Sequence, residues 1–370
     1  MLLERVAQPR AVGAGILLQP NGIAVLNGLG LRDQLLARGV LVREAALRNA
    51  AGRPLQRLVT PDYGNGLDYM LVLRRSDLQS ILLDAVEAHP GIDARYGATV
   101  VAVTRDGNVT YESEGKQETL SAELVVGADG VHSAVRASGE FGARVTSTGI
   151  SYVRGLSPAR VKVEESMEAW TPIGLFGMAP LSAGSYFFTS ARHPTLAAAL
   201  GRRDLAAFCA AWSSVYPPSR AVLDPLKEFE ELLVNDVIEV QCTRFVDAKL
   251  VLLGDAAHAI APNLGQGANS ALVDAVVLTH GLREAPSQEE ALRRYDARRR
   301  PAVQRVQRLA HRLGGAAEMR GAIPRTFRDT AFRLLSVLPG AGTRAARSAQ
   351  QEDPLWLFNE AQHSRAPIPT

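Results

Sequence analysis

The sequence predicts an α/β fold, because two separate segments each read as a short buried strand, a glycine-rich turn and a helix. These segments are 123–136 (ELVVGADGVHSAVR) and 249–275 (KLVLLGDAAHAIAPNLGQGANSALVDA). Each strand is a continuous apolar run, which favours a strand that is buried on both faces. The stretch between them, 149–240, is rich in predicted strands. The pattern therefore predicts an α/β domain whose chain is interrupted by a β-rich domain.

The N-terminal part alternates between helical and strand patterns. Apolar residues at helical spacing predict helices over 20–36 and 76–88, with Ser76 as the N-cap of the second helix. Three short apolar runs and a region with glycine-containing turns predict the strands of this part. The predicted strands are 40–47, 55–59, 69–73 and an antiparallel meander over 99–120.

The remainder of the chain moves from strands to helices. The predicted elements of the β-rich stretch are strands at 170–179 and 185–191 and covering helices at 205–212 and 225–233. A long arginine-studded helix follows over 289–313. Beyond Pro339 the chain is polar and contains prolines, so we expect a loosely held tail.

The composition bounds the class of protein. A length of 370 residues allows two domains, and 46% hydrophobic residues are typical of a globular chain. The net charge is only +3 and no nucleic-acid-binding pattern occurs, so no nucleic-acid partner is expected. Cys209 and Cys242 form no C-x-x-C pair, so no metal site is expected. With no leader pattern and no apolar run of about 18 residues, we expect no membrane span and a cytoplasmic location.

The segment 249–275 has the parts of an anion-binding cradle. The first N–H groups of a helix have no partner within the helix, and the helix dipole adds positive potential at the same end. Glycines allow a ligand to approach the backbone because no Cβ stands in the way. We therefore expect an anion to bind where the turn enters the helix.

The segment 249–275 resembles the second flavin-binding motif of the class A FAD-dependent monooxygenases, the aromatic hydroxylases. The pattern G-A-D-G-x-x-S-x-x-R in 127–136 resembles the family's other signature, which is associated with both FAD and NADPH. The two motifs stand in the family's order and at about its separation. The chain length is most similar to the salicylate hydroxylase and zeaxanthin epoxidase-like branch.

The resemblance implies a fold like that of p-hydroxybenzoate hydroxylase. A Rossmann-like FAD-binding domain is interleaved with a β-rich substrate domain, and helices follow at the C-terminus. The implied divisions are 1–40, 70–140 and 245–285 for the FAD-binding domain, 41–69 and 141–244 for the substrate domain, 286–350 for the C-terminal helical region, and 351–370 for a tail.

The resemblance also assigns roles within the second motif. Asp255 would accept a hydrogen bond from a ribityl hydroxyl of FAD, with a turn aspartate that binds no ligand as the alternative. His258 would lie close to FAD or serve as a structural histidine. Pro262, Gly265 and Gly267 would position the flavin, whose reduced form is anionic and would be stabilised by the helix N-terminus. The cofactor-binding residues implied here are Gly254, Asp255, His258, Gly265, Gln266, Gly267, Ala268 and Asn269.

The first motif and the helix at 76–88 supply further candidates. Asp129, Gly130 and Arg136 are the implied cofactor-binding residues of the first motif. Arg136 would offer a positive fork to the pyrophosphate or the nicotinamide nucleotide, with a surface salt bridge as the alternative. Arg75 resembles the family arginine that starts the helix beneath the FAD phosphates, and its neighbour Arg74 is the alternative.

The N-terminal region departs from the family pattern. The family opens with a strand and a G-x-G-x-x-G loop, and no such loop occurs in this sequence. The first residues resemble the end of the family's second strand, so Glu4 would bind the adenosine ribose, and Arg10 resembles the arginine of its R-x-x-G-A-G-I stretch. Since that acid follows the glycines by roughly 20 residues, we expect the preceding strand, loop and helix to be missing. A misplaced start codon or a fragment is favoured over a natural short form.

The function implied by the resemblance is hydroxylation of an aromatic or similarly conjugated small molecule. NADPH or NADH would reduce FAD, and a flavin C4a-hydroperoxide formed with O₂ would deliver one oxygen atom. The expected partners are a small aromatic substrate and O₂, with the protein a monomer or homodimer. A non-catalytic remnant of the family and a non-hydroxylating flavin oxidoreductase or halogenase are the alternatives.

No side-chain base is nominated, but several bulky side chains of the β-rich stretch are candidates for the wall of a substrate pocket. Core packing is favoured for any one of them, because alternate positions of a strand face opposite sides. The candidates are Phe176, Met178, Tyr186, Phe187 and Phe188.

Overall fold

The computed structural model describes residues 1–8, 14–163 and 167–363. Its strands are β1 (Leu2–Glu4), β2 (Gly15–Leu18), β3 (Val40–Val42), β4 (Glu44–Asn49), β5 (Pro54–Val59), β6 (Met70–Arg74), β7 (Ala94–Tyr96), β8 (Thr99–Val103), β9 (Asn108–Ser113), β10 (Lys116–Ser121), β11 (Val125–Gly127), β12 (Arg144–Ser157), β13 (Met167–Thr171), β14 (Gly174–Pro180), β15 (Ser185–Ser190), β16 (Leu233–Gln241), β17 (Val246–Asp247) and β18 (Leu250–Leu252). Its α-helices are α1 (Pro20–Gly28), α2 (Arg32–Arg38), α3 (Arg75–Glu87), α4 (Ala134–Ser138), α5 (Pro194–Gly201), α6 (Leu205–Val215), α7 (Arg220–Leu223), α8 (Asp255–His258), α9 (Gly267–Glu284), α10 (Gln288–Ala317), α11 (Ala322–Ser336), α12 (Ala341–Ala349) and α13 (Pro354–His363).

Several small sheets make up one side of the molecule. The strands β11 and β18 pair in parallel, and β17 joins the other edge of β18. The sheet β2-β6-β3 is antiparallel, β1 pairs in parallel with β7, and β8, β9 and β10 form the predicted meander. Leu250, Val251 and Leu252 are fully buried, as their continuous apolar run predicts.

A seven-stranded sheet makes up the other side, in the order β16-β12-β15-β14-β13-β4-β5. Its strands come from 44–59 and from 144–241, so the chain leaves this sheet and returns to it. One face packs on α5, α6 and α7, where Phe176 lies 5.1 Å from Trp212 between ring centroids. The mixed α/β architecture with C-terminal helices confirms the predicted fold class, whereas the exact domain boundaries stay predictions.

Three predicted elements are each divided in two: the helix over 20–36 forms α1 and α2, the strand over 40–47 forms β3 and β4, and the strand over 170–179 contains the end of β13, a turn and β14. Three further local predictions are wrong. The helix α3 begins at Arg75 with Arg74 as N-cap, so Ser76 lies inside the first turn. The predicted helix over 225–233 is a single 3₁₀ turn at Phe229–Glu231, followed directly by β16. The tail predicted to be loose is helical and docked up to His363, because Leu357 and Ala361 of α13 are fully buried against α1.

In the described ranges 1–8, 14–163 and 167–363, no helix combines the length and the apolarity that crossing a membrane requires.

Candidate active site

The parallel pairing of β11 with β18 brings the two predicted motifs side by side. Val126 is in register with Val251, and the Leu253 N–H donates to the Gly127 carbonyl at 3.1 Å. Both strands therefore end at the same edge of the sheet, where their turns and the helices that follow lie next to each other. Such an edge is where α/β folds commonly bind ligands.

The second motif turns sharply at Gly254. Its φ of 59° and ψ of −144° lie in a region that residues with a Cβ almost never adopt, so a glycine is required there. The turn presents Asp255 at the surface as the first residue of α8. No hydrogen bond is made by this carboxylate within the part of the chain that the structure describes.

The N-terminus of α9 is open. Gln266 is its N-cap residue but makes no side-chain cap, and the first turn has no acidic residue. A Cβ built on Gly265 (φ 61°) would come no closer than 3.6 Å to another atom, and one on Gly267 would meet only Asp255 Oδ1, at 3.9 Å. Ala268 is exposed beside them. Uncapped N–H groups, open space and the Asp255 carboxylate therefore meet at one surface.

A buried charged network lies behind this surface. Asp274 of α9 accepts a hydrogen bond from Arg299 Nε of α10 at 2.7 Å and from the Gly254 N–H at 2.9 Å, and it lies 2.5 Å from His258 Nε2. All three side chains are fully buried. Burial opposes ionisation of Asp274, but the charges of His258 and Arg299 lower its pKa to about 2. The network fixes the Gly254 turn to α9 and α10.

A second buried network holds the start of α9 in place. Gln266 Nε2 donates to Gln19 Oε1 at 2.7 Å, and Gln266 Oε1 accepts from Asn21 at 3.0 Å and from Gln351 at 3.2 Å. Asn269 accepts from the Gln19 N–H at 2.9 Å and donates to the Gly265 carbonyl at 2.8 Å. The side chains of Gln266 and Asn269 therefore face the protein interior, and their backbone lines the open surface.

In the first motif, side chains of the motif itself accept hydrogen bonds from the N–H groups at the start of α4. Asp129 Oδ2 accepts from the N–H groups of Ala134 and Val135 at 2.6 and 3.1 Å, and Ser133 Oγ accepts from the Arg136 N–H at 2.8 Å. These bonds cap the short helix α4. Gly130 has a φ of 78°, and a Cβ there would meet nothing within 4 Å.

The Arg136 guanidinium joins the two motifs. Its Nη1 donates to the Ala256 carbonyl at 2.8 Å and its Nη2 to the Val131 carbonyl at 2.6 Å. Both terminal nitrogens therefore bind backbone of the two turns. Arg136 therefore forms no surface salt bridge within the described residues, and its terminal nitrogens are already engaged by backbone carbonyls. Its contact with a nucleotide stays a prediction.

The N-terminal candidates lie at the predicted elements. Glu4 ends β1, and its carboxylate accepts from the Val6 N–H at 2.8 Å. Arg75 is exposed at the start of α3, whereas Arg74 Nη2 donates to the Ala183 carbonyl at 3.1 Å. This difference favours Arg75 as the residue free to meet a phosphate. Arg10 lies outside the described residues.

The seven-stranded sheet meets the second motif through Tyr152. Its Oη accepts a hydrogen bond from Asn263 Nδ2 at 2.8 Å, and Asn263 belongs to the 3₁₀ turn Pro262–Leu264 that precedes Gly265. Burial and the nearby Glu168 and Glu318 carboxylates raise the pKa of Tyr152, so it stays a neutral phenol. The face of the sheet that carries Tyr152 therefore lies toward the turn Pro262–Leu264.

An acidic and a basic side chain stand in one cross-strand row of this face. Strand pairing places Glu168, Gly177, Phe188 and Arg154 in register across β13, β14, β15 and β12. Arg154 is half-buried and lies two residues after Tyr152, hence on the same face. No hydrogen bond or ion pair joins Arg154 to another side chain in 1–8, 14–163 and 167–363. Burial raises the pKa of Glu168 to about 7, although Trp170 Nε1 donates to it at 2.6 Å.

The five pocket-wall candidates divide between the two faces. Phe176, Met178 and Phe187 are buried in the core against α6, as core packing requires. Tyr186 and Phe188 are half-buried on the Tyr152 face, with their rings stacked 5.6 Å apart. Of the five candidates, Tyr186 and Phe188 therefore lie on the face toward the turn.

Comparisons with known proteins show the family of this chain. A family model described as "FAD binding domain" matches residues 1–310. The 3-amino-4-hydroxybenzoate 2-monooxygenase of Streptomyces cremeus is 33% identical over 346 residues, covering 90% of this chain and 85% of that protein. The chain belongs to the class A FAD-dependent monooxygenases.

Solved structures show the same fold. The tetrameric form of 2-methyl-3-hydroxypyridine-5-carboxylic acid oxygenase superposes with a TM-score of 0.74 at 26% identity, covering 96% of this chain and 90% of that one. Klebsiella pneumoniae HpxO, complexed with FAD and uric acid, gives a TM-score of 0.76 at 23% identity, covering 94% and 88%. The open surface at α9, with its uncapped N–H groups and glycines, fits the FAD that this family of monooxygenases binds.

Sequence reasoning missed the residues that brace the site of this monooxygenase. Asp274 interrupts the apolar run of α9, and Arg299 stands at an inward position of α10, so a charge within an apolar face was the available signal. Gln19, Asn21 and Gln351 carry no comparable signal, because their partners are distant in the sequence. The missed residues hold the turns rather than face the open surface.

Proposed function

We propose that this chain hydroxylates an aromatic or similarly conjugated small molecule, consuming O₂ and NADH or NADPH. One oxygen atom replaces a ring hydrogen as a hydroxyl, and the other leaves as water while the nicotinamide is oxidised. The observation that carries the proposal is the open N-terminus of α9, where uncapped N–H groups and two glycines adjoin an exposed aspartate. Bound FAD supplies the electron transfer and the oxygen activation.

The side chains and backbone N–H groups of this chain would position FAD and stabilise negative charge on it. Asp255 would hold FAD by accepting a hydrogen bond from a ribityl hydroxyl, and the N–H groups of Gly267 and Ala268 would stabilise negative charge on its ring system. Pro262 and Gly265 would position the ring, because no Cβ on Gly265 blocks its approach to the turn. The buried Asp274 network keeps this cradle rigid, which is the preorganisation that electrostatic stabilisation requires.

The substrate is proposed to lie between the turn Pro262–Leu264 and the sheet. Phe188 and Tyr186 offer their rings to a flat conjugated substrate, and half-buried Arg154 offers a guanidinium in the same row as Phe188. Relatives named for 3-amino-4-hydroxybenzoate and 2-methyl-3-hydroxypyridine-5-carboxylic acid favour a ring with an acidic substituent. We therefore propose a small aromatic acid whose anionic group pairs with Arg154.

The function is tested by chemistry with the purified full chain. After reconstitution with FAD, NADH and NADPH oxidation are followed with a panel of hydroxylated benzoates and pyridine carboxylates, and products are analysed by mass spectrometry under ¹⁸O₂. A product that gains one ¹⁸O atom supports the proposal. Substrate-stimulated oxidation that yields only hydrogen peroxide with every compound would instead indicate a flavin oxidoreductase without hydroxylase activity.

The substrate contact is tested with Arg154→Gln. We expect KM for an acidic substrate to rise about tenfold or more while the FAD dissociation constant is unchanged, because the guanidinium meets the substrate and not the cofactor. Arg144→Gln, on an exposed part of the same strand, is the matched control. An unchanged KM in Arg154→Gln would remove Arg154 from the substrate site and leave the hydroxylase assignment intact.

The assembly and location are proposed as a monomer or homodimer in the cytoplasm. One solved relative is described as tetrameric, so light scattering of the purified chain is the direct check on the first point. Fractionation of the source cells checks the second.

A further inference from the structure

The helix α11 exposes its apolar face, whereas an ordinary surface helix buries it. Ile323, Phe327 and Leu334 recur at helical spacing and are 85%, 77% and 66% exposed. The row continues past the end of the helix through Val337 and Leu338, which are also exposed. Surface helices normally turn such a row toward the core, so this face has no structural partner in the described parts of the chain.

The inward side of α11 carries charge. Arg328 is buried, its guanidinium lies 5.1 Å from the Trp170 ring centroid, and it donates to the Ala316 carbonyl at 3.0 Å and to Asp329 at 2.7 Å. Asp329 also accepts from Asn49 Nδ2 of β4 at 3.1 Å, and Phe332 packs edge-on against Trp170 at 4.9 Å. These contacts fix the helix on the sheet edge in one orientation, and that orientation points the apolar row outward.

The surroundings of the row are strongly basic. Between 319 and 348 the sequence has six arginines and one acid. The single acid, Asp329, is already engaged by Arg328 and Asn49. The arginines outside this buried pair are Arg320, Arg325, Arg333, Arg344 and Arg347.

We propose that α11 docks this monooxygenase on an anionic phospholipid surface. A 15-residue helix is about 22 Å long and can lie flat with its apolar row among the acyl chains. The arginines then meet lipid phosphates, which complement a segment that lacks free carboxylates. A second copy fits less well, because a two-fold contact would place the same basic residues opposite one another with no acid between them.

The test is vesicle flotation of the FAD-loaded full chain. Vesicles of phosphatidylcholine alone are compared with vesicles that also contain phosphatidylglycerol. We expect binding to the phosphatidylglycerol vesicles that falls about tenfold or more in Phe327→Glu and in Leu334→Glu, since each places a charge within the acyl region. Val145→Glu, at an exposed apolar position on β12, should bind like the wild type.

The outcomes distinguish a phospholipid surface from a second copy of this chain as the partner of α11. All variants are first checked for wild-type circular dichroism and bound flavin, which exposed substitutions should preserve. Retained binding in Phe327→Glu, or no binding of the wild type to either vesicle, overturns the proposal. A wild-type dimer in light scattering that becomes monomeric in Phe327→Glu also overturns it and assigns the face to a second copy of this chain.

Discussion

Two carboxyl groups, the fully buried Asp274 behind the Gly254 turn and the half-buried Glu168 on the sheet face, have pKa values shifted in opposite directions. Asp274 accepts from Arg299 and the Gly254 N–H and lies against His258, so its pKa falls to about 2. Within the described ranges, Glu168 accepts a hydrogen bond only from the Trp170 N–H, and desolvation raises its pKa to about 7. The Gly254 turn thus has a fixed, compensated charge behind it, whereas the sheet face holds a carboxyl that exchanges its proton near neutral pH.

Removing the compensated carboxylate should have the largest effect. In Asp274→Ala, Arg299 and His258 lose their buried acceptor, so we expect the free energy of unfolding to fall by about 3–5 kcal/mol. Urea denaturation measures this change, with the exposed Asp84→Ala on α3 as control. Because the pKa of Asp274 lies below its ordinary 3.8, its stabilisation is present above that pH and is lost as the pH falls toward 2. A loss below 1 kcal/mol would contradict the compensated-charge description.

The uncompensated carboxyl should show the reverse dependence on pH. A raised pKa means that the folded protein favours the protonated form of Glu168. The contribution of Glu168 to the free energy of unfolding is therefore complete below pH 4.5 and is lost as the pH rises through about 7. Glu168→Gln cannot ionise and should gain stability over the wild type with rising pH, approaching about 3 kcal/mol in alkaline buffer. Thermal melts from pH 5 to pH 9 test this, and the exposed Glu112→Gln should follow the wild type. A difference that does not vary with pH would mean that Glu168 is already ionised.

Removing the exposed carboxylate at the open turn should affect the cofactor and not the fold. In Asp255→Ala we expect the FAD dissociation constant to rise about tenfold, since one charge-assisted hydrogen bond is lost, with little change in the melting temperature of the apoprotein. Fluorescence titration with FAD measures the constant, and the exposed Asp33→Ala serves as control. Unchanged FAD affinity would remove Asp255 from the cofactor site.

The smallest effect is expected for Asp129 of the first motif, whose side chain caps α4. Asp129 holds two N–H groups of α4, so Asp129→Ala should lower the free energy of unfolding by about 1 kcal/mol. Asp129→Asn retains an acceptor and should recover most of that loss. Denaturation of the three proteins side by side is sufficient, and equal stability of all three would show that the cap contributes nothing.

The sequence predicted the parts of the site whose signal is local. The two motifs could be located because a buried strand, glycines and a helix start lie within about 20 residues of one another. The split of Phe187 from Phe188 between two faces likewise follows from the alternation of a strand. Which face of the sheet lies toward the turn Pro262–Leu264 was not predictable, since it depends on the pairing of β12, β14 and β15.

The wrong predictions for 225–233 and for the tail also arise from interactions that a local sequence pattern does not show. The 225–233 stretch has good helix formers, but Glu228 and Glu231 form a reciprocal cap around a single turn and Leu233 already pairs with β12. The tail was predicted to be loose because it is polar, yet Gln350 and Gln351 are buried as hydrogen-bond partners of Asn21 and Gln266. Polar residues that satisfy one another in the interior leave no apolar signal in the sequence.

The return of the chain to the seven-stranded sheet has a consequence for biosynthesis. The strand β4 leaves the ribosome early, but its parallel partner β13, which sets Leu47 against Glu168, follows only after the whole first motif has been made. Until then the β4–β5 hairpin offers a free edge, and closing so large a loop slows folding. Nascent chains should therefore be most vulnerable to aggregation during synthesis of this interval, so slower translation or a bound chaperone should raise the yield of folded protein.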